Sequence, residues 1–420
     1  MLEGTCAMAG ALKTTNSQGK QDLLSIFSII LLLVTLVDSQ QFNVMNYKAT
    51  GNGQSDDFQA FLKAWDVVCG STRKNPTLII PKNKIFLLSP ITFEGPCKSN
   101  VAVQFMGDIV APGRSAPSWK SQSRSWILFA NVTGLNVTGK GKLDARGSEW
   151  WEWCPRVSGC RKPVKCKRPT TLRFLNCSSL HVSGLTSVDS GQNHISIHSC
   201  HHGTFRYITL IAPDESPNTD GIDISNSSNI EISKSNIRTG DDCIAINGST
   251  SYINITELTC GPGHGISVGS LGKNGTKAEV EEIHVRNCTF NGTQNGARIK
   301  TWQGGSGYAR KISFEKIQLY NSGNPIIIDQ YYCDCKGEKT CENQTAAVQI
   351  SDVTFRDIQG TSNKTNVIKL SCSETLGCTN ILVENINLTS TAEGGEAYSS
   401  CVNVHGRSSQ SIPPIDCLLG

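Results

Sequence analysis

Apolar and polar residues alternate in short runs along most of this chain, and Gly, Asn or Ser closes nearly every run. A period of two argues for β-strands, because successive side chains point to opposite faces. Two series of runs repeat. One comprises Asn229-Ile-Glu-Ile-Ser, Glu282-Ile-His-Val-Arg, Lys311-Ile-Ser-Phe-Glu, Val348-Gln-Ile-Ser-Asp-Val and Asn380-Ile-Leu-Val-Glu. The other comprises His194-Ile-Ser-Ile, Gly221-Ile-Asp-Ile, Cys243-Ile-Ala-Ile, Gly265-Ile-Ser-Val and Arg298-Ile-Lys. In the second series Ile222, Ile244 and Ile266 lie 22 residues apart, while Ile195 to Ile222 spans 27 and Ile266 to Ile299 spans 33. A constant core strand with variable insertions is what the coils of a parallel β-helix give, because insertions are absorbed in the turns. One helix is predicted near residues 56–66. There Phe58, Phe61, Leu62 and Trp65 recur at helical spacing behind the N-cap candidates Ser55-Asp56-Asp57, and the helix would cap one end of the stack.

Composition narrows the alternatives. The chain has 420 residues, 38% hydrophobic and 18% charged, which is enough apolar surface for a large core and too much for disorder. Length alone would suggest more than one domain, but the repeat turns that prior into one long all-β solenoid. A propeller needs about 40 or more residues per blade, and leucine-rich repeats need regular leucines that are absent here. The net charge of +4 comes without a long basic run, which argues against a nucleic-acid partner.

The first 39 residues read as a signal peptide, followed by a catalytic domain over residues 40–420. Leu23 to Val37 is apolar but short for a membrane span, and Val37 and Ser39 suit the small-residue positions before a cleavage site. The lead before this run is long, and Met8 is an alternative start. Removing the segment takes away Lys13, Lys20, Glu3, Asp22 and Asp38, so the net charge becomes +5. No second apolar run follows, so no membrane association is expected after cleavage, and the mature chain is expected to be a monomer. Eighteen cysteines point to an oxidising compartment. Cys6 lies in the lead, so at least one of the remaining 17 thiols is unpaired, and Cys372/Cys378 and Cys401/Cys417 are close enough to bridge. Zinc is disfavoured because paired C-x-x-C or H-x-x-x-H sets are missing. Twelve N-x-S/T sequons are present, at Asn131, Asn136, Asn176, Asn226, Asn247, Asn254, Asn274, Asn287, Asn291, Asn343, Asn363 and Asn387. Some are expected on buried turns, so only a subset should carry glycans.

The repeat also places chemistry. Asp220, Asp242 and His264 each stand two residues before a repeated isoleucine, so stacking coils about 4.8 Å apart puts them in one row with Asp241 alongside. Arg298 and Lys300 flank Ile299, and both would reach the cleft if the strand ends there in a turn. Clustered carboxyls raise one another's pKa, which keeps one acid protonated while another stays a base. An acid facing a base is what glycosidic cleavage needs, and Arg with Lys would receive an anionic sugar.

Asn218-Thr-Asp220, Gly240-Asp-Asp242, Gly263-His-Gly265 and Arg298-Ile-Lys300, in that order, resemble the four signature motifs of plant polygalacturonases, family 28 of the glycoside hydrolases. Phe42-Asn-Val-Met-Asn-Tyr, Thr239-Gly-Asp-Asp-Cys243, Cys260-Gly-Pro-Gly-His-Gly-Ile-Ser-Val-Gly269 and Asn324-Pro-Ile-Ile-Ile-Asp-Gln330 extend the likeness over essentially all of the chain after the lead. The resemblance implies a right-handed parallel β-helix with an open cleft, and inverting hydrolysis of α-1,4 bonds in pectin (homogalacturonan) without metal or other cofactor. It implies Asp241 as general acid, Asp220 and Asp242 as holders and deprotonators of the attacking water, and His264 as a tuner of the acid. Asn218, Arg298, Lys300 and a tyrosine, Tyr332 in preference to Tyr331, would bind substrate. Inverting enzymes usually hold their carboxyls about 6.5–9.5 Å apart, wider than one coil step. Gly304 to Arg310 and the Tyr332-Cys-Asp-Cys335 region favour endo over exo attack. A calcium-dependent pectate lyase and a non-catalytic pectin-binding solenoid are the competing readings on the same fold.

Overall fold

The computed structural model describes residues 40–119, 124–154, 167–333, 343–418 and 420. The proposed signal segment therefore lies outside the described residues. Residues 41–420 form one compact unit. Its strands are parallel throughout and fall into a sheet of eleven strands and a larger one of twenty-one. The chain is a right-handed parallel β-helix, the hand that βxβ crossovers almost always take.

Register fixes the coil. Ile195 pairs with Ile222, Ile222 with Ile244, Ile244 with Ile266 and Ile266 with Ala297. All five are essentially sealed from solvent, and full burial of one such aliphatic side chain contributes about 1.5–3 kcal/mol. The partner of Ile299 is Val268, not Ile266. The isoleucine series thus slips by one inward position in that coil, because alanine fills the expected slot and hides the true register.

The larger sheet bends at stacked left-handed residues, and one such row recurs coil after coil. Ser179, His202, Asn229, Tyr252, Glu282, Lys311, Asp352 and Asn380 are stacked at left-handed φ between 53° and 58°. A left-handed residue reverses the local direction of the strand in one step, at about 1–2 kcal/mol for a side chain other than glycine. Pairing on both sides of each bend offsets that cost.

The helix runs from Phe58 to Cys69 and closes the N-terminal end. Trp65 packs on Phe93 at 5.1 Å and on Phe129 at 5.8 Å, and Phe93, Phe129 and Phe174 continue inward as a stack. Its cap differs from the simplest expectation. Asp57 at the N-cap position turns its carboxylate to the backbone of Thr50 and Gly51, and Asp56 accepts from Phe58 N at 3.1 Å. A second helix, Ser148–Trp153, carries no amphipathic period and was not expected. Tertiary contacts hold it: Trp150 lies edge-on to Trp119 at 5.0 Å, and Trp151 Nε1 donates to the Ser190 carbonyl. Cys372–Cys378 and Cys401–Cys417 are bridged as expected; Cys69–Cys97 and Cys243–Cys260, not singled out in the sequence, are bridged too. Cys177, Cys200 and Cys288 remain as buried thiols.

Candidate active site

Three successive turns feed the eleven-stranded sheet and carry the acids. Asp220 precedes the strand Ile222–Ser225, Asp241 and Asp242 precede Ile244–Ile246, and His264 precedes Ile266–Leu271. The turns are joined through their backbones: Gly221 N donates to Asp242 O, and His264 N to Asp241 O, both at 2.8 Å. Packing between the turns is too close for larger residues. A Cβ on Gly240 would lie 2.2 Å from Ser216 O, and Gly265 combines φ +85° with a clash against Asn295 O. Thr219 Oγ1 bolts the arrangement by accepting from Gly240 N at 2.9 Å.

Two linked networks emerge. Asp241 Oδ1 accepts from Asp242 N at 2.9 Å and lies 2.8 Å from His264 Nδ1. Its other oxygen faces Asn218 Nδ2 at 3.4 Å, and Asn218 Oδ1 accepts in turn from Arg168 Nη2 at 2.7 Å. Asp242 is almost fully buried. It is ion-paired with Arg298 Nη2 through Oδ1 and with Lys300 Nζ at 2.7 Å through Oδ2. Ser267 Oγ donates to Asp242 Oδ1 at 3.0 Å and accepts from Arg298 Nε at 2.7 Å. Arg298 and Lys300 are alternate residues of the strand Ala297–Thr301, so both point to one face without the turn that the sequence reading invoked. Their first partner here is Asp242, which leaves the remaining N–H groups for an anionic ligand.

Tyr332 borders this network. Lys300 Nζ lies 5.2 Å above its ring, and Trp302 meets it edge-on at 5.5 Å. Tyr331 instead donates to the Cys372 carbonyl at 3.1 Å.

Sequence reasoning missed Asp223, Ser267, Arg168 and Trp302. Asp223 shares one outward row with Ala245, Ser267 and Arg298, and its Oδ1 is sealed with no partner among the described residues. Reading the outward slot between the paired isoleucines coil by coil would have found both Asp223 and Ser267. Burial, followed by the charges of Asp242 and Asp241, pushes the Asp223 carboxyl up to about 7 against the pull of Lys300. Burial also holds Asp220 well above the usual carboxylate range, with Asp223, Asp241 and Asp242 adding to it. Asp220 and Asp223 therefore hold their protons to higher pH than isolated carboxyls would.

One ligand atom each of Asp241, Asp242 and His264 lie within 4.8 Å of one another, which is compatible in spacing with a cation. The donor set fits one poorly, since Asp242 already neutralises two cationic side chains and calcium takes 6–8 oxygens. For the Asp241 and Asp242 oxygens the 4.8 Å limit is narrower than the usual carboxyl separation in inverting enzymes. Of the two regions expected to mark endo action, Ser306 to Arg310 belong to a strand of the larger sheet. Asp334 and Cys335 lie outside the described residues.

Comparison with known proteins matches this arrangement to a family. The model of glycosyl hydrolases family 28 matches residues 69–412. A probable polygalacturonase of Arabidopsis thaliana is 44% identical over 395 residues, covering 93% of this chain and 83% of its own. A polygalacturonase of Cryptomeria japonica is 42% identical over 363 residues, covering 86% and 69%. Among solved structures, an endo-xylogalacturonan hydrolase from Aspergillus tubingensis superposes with TM-score 0.70 at 23% identity, over 86% of this chain and 98% of that one. An exopolygalacturonase from Thermotoga maritima gives 0.69 at 19%, over 84% and 89%. At those identities the two structures speak for the fold alone. The match along residues 69–412, together with relatives aligned over most of its length, makes this chain a member of glycosyl hydrolase family 28.

Proposed function

We propose that this chain is a polygalacturonase that hydrolyses α-1,4 bonds between galacturonic acid residues of de-esterified pectin, with inversion and by endo attack. The observation that carries the reading is the pairing of an acid cluster, in which Asp220 and Asp223 are raised, with two cations on one strand two coils further on. Asp241 is the general acid. Its Oδ1 accepts from Asp242 N and lies beside His264 Nδ1, and its Oδ2 faces Asn218 Nδ2. Asp220 and Asp242 hold the water. Asp242 is tied to two cations and orients it, while Asp220 in its ionised form takes the proton. The same ties make Asp242 a poor nucleophile, which favours inversion over a covalent intermediate in spite of the short spacing. Arg298 and Lys300 receive a galacturonate carboxylate beside Tyr332.

Endo action is supported by the position of the site. Strands of the cleft sheet continue on both sides of the catalytic coils, from Ile91–Glu94 to Tyr398–Val402, so a polymer has floor to lie on in both directions. The mature enzyme is read as monomeric and secreted, acting in the wall after loss of residues 1–39; among the described residues no helix is long and apolar enough to cross a membrane.

The test is Asp241→Asn on polygalacturonate. Turnover should fall by about 10² or more with substrate affinity retained. Activity within threefold of wild type would remove Asp241 from the acid role. NMR of the first product reports inversion or retention, and mixed oligomers with a fast viscosity drop report endo attack, against monomer alone for exo. Ultraviolet-absorbing unsaturated products would instead mean elimination.

A further inference from the structure

An open groove lies away from the acids, on the larger sheet. It has a volume of about 530 Å³, within the roughly 300–1,000 Å³ range of small-ligand sites. Two parallel rows wall it. One is the row of left-handed residues, here His202, Asn229 and Tyr252. The other is the adjacent outward row, in which Thr204 pairs with Glu231 and Glu231 with Asn254. Tyr252 leaves half of its surface (52%) exposed, an unusual place for an aromatic ring.

Asn254 opens the sequon Asn254-Ile255-Thr256. We infer that Asn254 is an N-glycosylation site whose first sugar residue lies back in this groove, with a face packed on the Tyr252 ring. The inference rests on the secretory reading above. Tyr252 and Asn254 are both exposed, with the buried Ile253 between them, so a sugar on the Asn254 amide starts beside the ring. An amphipathic aromatic body suits a pyranose, whose axial C–H bonds present an apolar face while its hydroxyls reach polar rims. His202, Asn229 and Glu231 supply such rims.

Three other exposed sequons are engaged differently. Asn176 Nδ2 donates to Asn131 Oδ1 at 2.6 Å, Asn131 Nδ2 to Glu94, and Asn226 Nδ2 to Ser199 Oγ at 2.8 Å. Modification of those amides would break a ladder of stacked turns. The expectation that sequons sit on buried turns is also corrected: Asn247 is half-buried, and the remaining eleven are exposed.

The test uses the full chain secreted from a plant cell culture. Glycopeptide mass spectrometry should find Asn254 modified in most molecules. The glycan is then trimmed to its first sugar or removed completely, in wild type and in Tyr252→Ala. Removing the first sugar should weaken the folding equilibrium of wild type by about two- to tenfold more than that of Tyr252→Ala, the coupling expected of a packed aromatic contact. Equal effects in the two proteins would overturn the cradle. Asn254 bare while other sequons are modified would overturn the site. If every sequon is bare, the secretory reading falls and the inference falls with it.

Discussion

Cys243 and Cys260 are bridged, and the bridge ties the turn that carries Asp241 and Asp242 to the turn that leads into His264. Both cysteines are sealed in the core. Closing a loop of this size stabilises by about 3 kcal/mol in the chain-entropy account. The double variant Cys243→Ala/Cys260→Ala should lose roughly that much in denaturant unfolding. It should also lose kcat under conditions where it remains folded, because the Asp241–His264 contact depends on the relative placement of the two turns. A stability loss with unchanged kcat would make the bridge purely structural.

Lys300→Met separates substrate recognition from site assembly. Removing one charge-assisted contact to a galacturonate carboxylate should lower kcat/KM on de-esterified pectin by about ten- to a hundredfold. Highly methylated pectin offers little charge to lose, yet the loss there should not vanish, since Lys300 also neutralises Asp242. Assays of both enzymes on both substrates check this. Equal losses would mean that Lys300 serves Asp242 alone.

Asp223→Asn should move the acidic limb of the rate profile. Asp223 is one of the groups that raise Asp220, so deleting its charge lowers the Asp220 pKa over the pH range in which Asp223 is ionised. The limb of kcat/KM should shift to lower pH where it falls in that range. The sign for stability is separate. A carboxyl whose folded pKa is raised to about 7 costs stability as pH climbs from the ordinary carboxylate range to 7. The variant should therefore gain Tm at pH 7.5 over wild type and gain nothing at pH 3.5. A limb that stays in place would exclude Asp223 from the catalytic titration.

His194 has the opposite sign. It is fully buried next to the catalytic coils, with Nδ1 2.8 Å from Ser187 Oγ and Nε2 without a partner among the described residues, and burial lowers it to about 3. The unfolded chain takes up that proton near 6.5 and the folded chain does not. Stability should drain away as pH falls from about 6.5 toward 3, by up to about 4–5 kcal/mol from this group. His194→Gln should flatten the decline of Tm with acid, whatever its effect at neutral pH. An unchanged acid slope would sink the assignment.

Much of this was legible because a solenoid converts sequence interval into spatial adjacency. The equal steps Ile222–Ile244–Ile266 gave both the fold and the row Asp220, Asp242, His264. Legibility failed where the interval changed. The longer coil before Arg298 hid that Ala297, not Ile299, continues the ladder, and so hid that Arg298 faces Ser267 in the outward row. Arg168 was out of reach for a different reason: it meets Asn218 from 50 residues away, across an insertion that no periodicity describes. The short helix at Ser148–Trp153 was equally silent, because indole packing stabilises it and propensity does not.

The helix Phe58–Cys69 has a meaning beyond packing. A parallel β-helix ends in a strand, here Ile91–Glu94 in the cleft sheet, whose unpaired backbone is a template for another strand of the same kind. With Trp65 seated on Phe93 and Phe129, the helix presents the approaching copy with a surface that has already spent its own hydrogen bonds. It is the stop codon of the stack. Without it, the repetition that builds one enzyme molecule would have no reason to end at the boundary of one chain, and growth into a fibre would follow from the same geometry.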